Sequence, residues 1–146
     1  MNGTEGFNPN RADRAACLER IEKAVQAVGR RLNSEIITSR DAQAPELRDA
    51  LAIENVPNGF TKHQLPVYLS ESSFLFVTVA EPGAASTTHS HDEGDGIRFI
   101  VSGSIEYEGV ELTAGDWMFV PRGAEYSFTT GRMGAVMCYC YCCCCA

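Results

Sequence analysis

Positive charge is scarce in this 146-residue chain: twelve Lys and Arg stand against nineteen Asp and Glu, leaving a formal charge of −7. That balance disfavours general binding to nucleic acid or to an anionic membrane, since both require phosphates to be neutralised. No basic stripe along the sequence reverses it. Long apolar runs are missing as well, so nothing reads as a bilayer-spanning helix. The opening MNGTEGFNPNR lacks a charged region followed by an apolar core, which predicts no secretory signal and a cytoplasmic location. No internal repeat is visible, and the length suits one compact domain with no room for a second. Histidine is rare too: there are three, and His89 and His91 stand two residues apart.

Pattern divides the chain into four parts. Residues 1–10, rich in Gly, Asn and Pro, read as disordered. Residues 11–60 read as a helical extension. Within it Leu18, Ile21, Val25, Val28 and Leu32 recur at steps of three and four with Arg20, Glu22 and Lys23 between them, so residues 11–32 are expected to form an amphipathic helix packed over the rest or at a dimer surface. Pro45 suits a first helical turn, and Leu47 and Leu51 lie one turn apart, which adds a short second helix. Residues 61–141 are β-rich: FLFVTVA from 74, IRFIV from 97, hairpin arms meeting at Glu108-Gly109, MFV before Pro121 and a strand around Phe128. Residues 142–146 are a cysteine-rich tail.

On a strand, residues i and i+2 point to one face, so His89 and His91 can reach a single metal or ligand. A second segment, GDWMFVPRG at 115–123, follows. Together these resemble the cupin family. Its first motif, G-x5-H-x-H-x3,4-E-x6-G, meets Gly83, His89, His91 and Gly103; its second, G-x5-P-x-G-x2-H, meets Gly115, Pro121 and Gly123. The resemblance spans roughly residues 65–137. It implies a mostly β fold, a cupin-like jelly-roll β-barrel or sandwich carrying an N-terminal amphipathic helix. The sequence departs from the pattern twice: Gly96 stands in the glutamate's place, and Tyr126 in that of the second-motif histidine.

Two registers follow for the strand after the histidines. If Gly96 keeps the glutamate's register, Arg98 shares the histidines' side and the cavity suits a small organic anion. If a bulge turns Asp95 inward, Ile97, Phe99 and Val101 become the interior row, and His89, His91 and Asp95 make a 2-His-1-carboxylate set of the non-haem iron kind. Glu93 and Tyr126 are further candidates for the third ligand. The metal reading, with Fe, Mn, Ni or Zn, implies a dioxygenase-like enzyme. In either register Arg98, Tyr126, Trp117 and Phe119 are candidate pocket residues, Trp117 and Phe119 being alternatively core. His63 is expected at the surface, without a role.

Six of the seven cysteines fall within residues 138–145. Adjacent cysteines close strained rings, so Cys138, Cys140, Cys142, Cys143, Cys144 and Cys145 suggest soft-metal binding or covalent modification rather than disulfides. The plainer reading makes 136–141 the last strand, with Tyr139 and Tyr141 on one face and Cys138 and Cys140 on the other. Three function classes remain: a metal-dependent cupin enzyme, a non-catalytic anion-binding or sensory cupin, and a carrier of the tail. Apolar residues on both faces of 97–101 add the expectation of a homodimer with a small-molecule ligand.

Overall fold

The apolar alternation after residue 60 becomes strands in the computed structural model, which describes residues 12–54 and 56–142. Contacts divide the chain into two compact units, residues 1–32 with 42–68, and residues 33–41 with 69–146. The expected disordered segment 1–10 lies outside the described residues.

In the first unit, helix α1 (Arg14–Ala27) starts where the Asp13 carboxylate accepts the Ala16 N–H at 2.9 Å, an N-cap bond. The helix stops well before Leu32 because the N–H groups of Gly29 and Arg30 turn back to the carbonyls of Gln26 and Val25, a Schellman closure. Ile21, Ala24 and Val25 form its buried stripe. Arg20 is half-buried rather than exposed, since its guanidinium donates to the Ala52 carbonyl and to Gln64. Helix α2 (Ala44–Ala50) opens with proline in its first turn and buries Leu47, with Leu51 buried just after it. His63 is exposed. No described helix is long and apolar enough to cross a membrane.

Among the described residues the second unit holds six strands: β1 (Ile37–Thr38), β2 (Phe74–Ala80), β3 (Gly96–Tyr107), β4 (Val110–Thr113), β5 (Trp117–Val120) and β6 (Thr129–Tyr141). All pairings are antiparallel, in the order β1-β5-β3-β6-β2 with β4 also on β3. This is the mostly β, cupin-like architecture that the two motifs imply. The hairpin between β3 and β4 turns at Glu108 and Gly109, both at positive φ (47° and 78°), the conformation that matches the twist of the paired strands. Gly103, the last residue of the first motif, lies between two register shifts on β3. Its φ is 72°, and an added Cβ would collide with the Gly134 carbonyl, so a close crossing of β3 and β6 explains this glycine.

The register decides which side chains share a face. Arg98 pairs with Met118 and Tyr139, and Ile100 with Met137, so these residues point one way, into a core shared with Ile105, Leu112, Val120, Tyr126 and Ala135. The intervening residues Ile97, Phe99, Trp117, Phe119, Cys138 and Cys140 point the other way. Trp117 and Phe119 are buried there, on the face opposite Arg98. Of the two readings open for them, pocket or core, this burial fits the core; alternation puts Met118 and Val120 on the Arg98 side.

Candidate functional site

His89 and His91 are held by backbone, not by a regular strand. His89 exchanges two hydrogen bonds with Tyr126, at 3.1 and 3.0 Å, and the His91 carbonyl accepts the Gly123 N–H at 2.8 Å. The second motif thus anchors the first. The two imidazoles meet edge to face with centroids 5.0 Å apart, as same-side neighbours should. His89 Nδ1 lies 2.7 Å from the Thr87 carbonyl. A carbonyl only accepts, so Nδ1 carries the proton and Nε2 faces outward from that bond.

Around them stand three tyrosines. Tyr126 lies 4.6 Å from the His89 ring, and its hydroxyl is 3.4 Å from His91 Nε2. Tyr141 lies 4.5 Å from His91 and stacks on Tyr139 at 5.7 Å. The Tyr141 hydroxyl donates to Glu93 Oε2 at 2.8 Å, and that bond lowers the Glu93 pKa. Burial is the main reason that the phenols of Tyr139 and Tyr141 are pushed well above the usual tyrosine range, so both stay protonated at neutral pH. Partial burial, followed by the charges of His89 and Arg98, pushes His91 below the usual histidine value.

Arg98 decides between the two registers. Its guanidinium sits 4.2 Å from the Tyr139 ring centroid and 5.0 Å from that of Phe128, and Nη1 reaches the Met137 sulfur at 3.9 Å. The side chain is only 8% exposed. Among the described residues it forms no ion pair. Gly96 keeps the glutamate's register, and the space a side chain would need there is filled: a Cβ on Gly96 would lie 2.6 Å from the Tyr139 hydroxyl oxygen.

Asp95, expected as a third metal ligand, is engaged elsewhere. It is 7% exposed, accepts Ser70 Oγ at 2.7 Å and the Arg122 N–H at 2.9 Å, and lies 3.4 Å from both the Ser70 N and Asn33 Nδ2. The carboxylate ties loops together, and no bulge turns it inward. Among the described residues no third His, Cys, Asp or Glu joins His89 and His91 in a group able to hold a metal ion. Glu93 is taken by Tyr141, and the Tyr126 hydroxyl lies 3.4 Å from His91 Nε2. Two imidazoles facing a guanidinium do not fit the resident Fe, Mn, Ni or Zn of a 2-His-1-carboxylate centre.

Sequence reasoning assigned Tyr139 and Tyr141 to a terminal strand and gave Phe128 no role. Their common face was readable from spacing; their register against Arg98 was not. Of the expected tail thiolates, Cys138 and Cys140 lie on the opposite face, and the Cys142 sulfur packs 2.8 Å from where a Cβ on Gly94 would be. Cys143, Cys144 and Cys145 lie outside the described residues.

No family model and no curated protein matches the chain. Solved structures do. The Rhodobacter sphaeroides SigE structure in complex with the anti-sigma ChrR is similar over 49% of this chain and 39% of that one, at 17% identity and a TM-score of 0.44. KdgF from Halomonas sp. is similar over 47% and 66%, at 22% identity and 0.43. An RmlC-like cupin from Shewanella frigidimarina is similar over 47% and 64%, at 23% identity and 0.41. The chain thus covers less than two thirds of each.

Proposed function

We propose that this cupin-fold chain is a binding domain for a small organic anion, received between His89, His91, Tyr126 and Tyr139 and neutralised by Arg98. The observation that carries this reading is a buried guanidinium without a counter-ion among the described residues. Removing a charge from water costs several kcal/mol unless an opposite charge replaces the solvent. Among the described residues the fold supplies only two aromatic faces and a thioether, a much weaker compensation. Among the described residues no fully buried side-chain nitrogen or oxygen lacks a partner, so the N–H groups that do not meet Met137 keep a small accessible area. A carboxylate matches their fork in a bidentate pair.

The surrounding groups fit the same occupant. Tyr139, kept protonated by burial, is a donor for a second oxygen. His89 Nε2 adds a polar contact, and His91 adds one whose charge rises with acidity. The rings of Tyr126, Tyr139 and Tyr141 favour a ligand with a flat apolar body over a small inorganic ion. No bond is made or broken in this reading.

Matched acid and amide pairs test it, by thermal shift on the wild type and on Arg98→Met. Carboxylates should raise the melting temperature of the wild type, their amides should not, and Arg98→Met should lose the response. Equal shifts for acid and amide, or binding that requires added Fe, Mn, Ni or Zn, would overturn the proposal.

A further inference from the structure

Strand β6 carries a different chemistry on its other face. Alternation that turns Tyr139 and Tyr141 towards the site turns Cys138 and Cys140 away from it. In register, Cys140 lies between Leu75 of β2 and Ile97 of β3, and Cys138 between Val77 and Phe99. Both thiols are free and half-buried, while Leu75 and Val77 beside them are 74% and 76% exposed. A dithiol thus stands within an apolar sheet surface that solvent can reach. Burial, and then the Cys138 thiol next to it, push the Cys140 thiol up, so the resting Cys140 is protonated.

The spacing determines what this pair can do. Two residues along a strand put same-face Cβ atoms roughly 6.6 Å apart, whereas a disulfide needs about 3.5–4.5 Å. The strand is hydrogen-bonded on both sides, to β2 and to β3, and cannot pucker to close that gap without breaking the ladder. Two sulfurs leaning towards each other can still bracket one ion. Among the described residues no third His, Cys, Asp or Glu joins them in a metal-holding group, which leaves Zn short of its four ligands and suits a soft ion satisfied by two thiolates.

We propose that Cys138 and Cys140 form a two-coordinate site for Cu(I). On binding, each S–H bond breaks, its proton goes to solvent and its electron pair forms an S–Cu bond. No electron is transferred to or from the metal, and the bound unit carries one negative charge. Leu75, Val77, Ile97 and Phe99 surround it with apolar side chains that offer no competing hard ligand. The site lies on the opposite face from Arg98, so its success or failure is independent of the anion site.

The test uses the full chain with Cys142, Cys143, Cys144 and Cys145 replaced by serine, leaving Cys17 in every variant. Anaerobic titration with Cu(I) against a coloured Cu(I) chelator should show one tightly held equivalent. Its apparent affinity should rise about a hundredfold per pH unit below the thiol pKa values, because two protons leave. Adding Cys138→Val and Cys140→Val, which keep apolar volume on the strand, should abolish that equivalent while the circular dichroism and melting temperature stay close to those of the parent. Ag(I), which has no accessible redox step here, should compete for the same equivalent. A four-serine chain that holds no Cu(I), or a valine variant that keeps its equivalent, would overturn the proposal.

Discussion

Arg98 and Tyr139 are direct cross-strand partners on β3 and β6, and the guanidinium of one lies 4.2 Å from the ring centroid of the other. The tyrosine hydroxyl fills the place above Gly96, and the arginine brings positive charge to the same face of β3.

Gly96 and Tyr139 should therefore be energetically coupled. A methyl at residue 96 would lie 2.6 Å from the Tyr139 oxygen, so Gly96→Ala is expected to destabilise the fold by about 1–3 kcal/mol through overpacking. Tyr139→Leu, which removes the hydroxyl and the outer ring, should recover much of that loss. Urea melts of the two single variants and the double variant measure the coupling, and simple additivity would refute the contact.

Acid should weaken the ligand-free protein through His91. Its pKa lies below the usual 6.5, owing first to partial burial and then to His89 and Arg98, with Glu93 and Asp92 opposing. Once unfolded, the imidazole returns to about 6.5 and binds more protons than the folded form. The contribution is therefore fully present above pH 6.5 and is lost as the pH falls towards the folded value. His91→Gln should flatten that part of the stability profile. A bound anion should oppose the shift, so carboxylate affinity should rise as the pH falls through 6.5, with proton uptake visible as a buffer-dependent heat in calorimetry.

Asp95 should matter for stability and not for binding. Asp95→Ala leaves Ser70 and the Arg122 N–H without their acceptor, at an expected loss of about 1–3 kcal/mol. Carboxylate affinity measured well below the melting temperature should change less than twofold. A tenfold loss would place Asp95 in the site after all.

Much of the fold was legible because glycine and histidine spacing records backbone geometry directly. Gly103 is fixed by a crossing strand, and Glu108-Gly109 by a turn that needs positive φ. His89 and His91 share a side because a single residue, Ser90, separates them. The partner of Arg98 was not legible: β3 and β6 pair across an intervening segment of more than twenty residues with two register shifts, and no local pattern reports such a register. Asp95 misled for a related reason, since a carboxylate beside two histidines reads as a ligand until Ser70, Asn33 and Arg122, distant in sequence, are seen to hold it. Trp117 and Phe119 were open to a pocket or a core reading because both β5 faces are apolar, and only pairing with Arg98 assigns the face.

The central claim, that Arg98 is kept for an anion rather than for the fold, is tested most directly by measuring the unfolding free energy and the carboxylate affinity of the same two proteins, wild type and Arg98→Met. A buried cation without a counter-ion can be replaced by an apolar chain of similar shape at little cost. The variant should match or exceed the stability of the ligand-free wild type within about 1 kcal/mol, the scale of the lost cation–π contacts, while its carboxylate affinity falls at least tenfold. An Arg98→Met protein that is several kcal/mol less stable, yet binds carboxylates as the wild type does, would contradict the account.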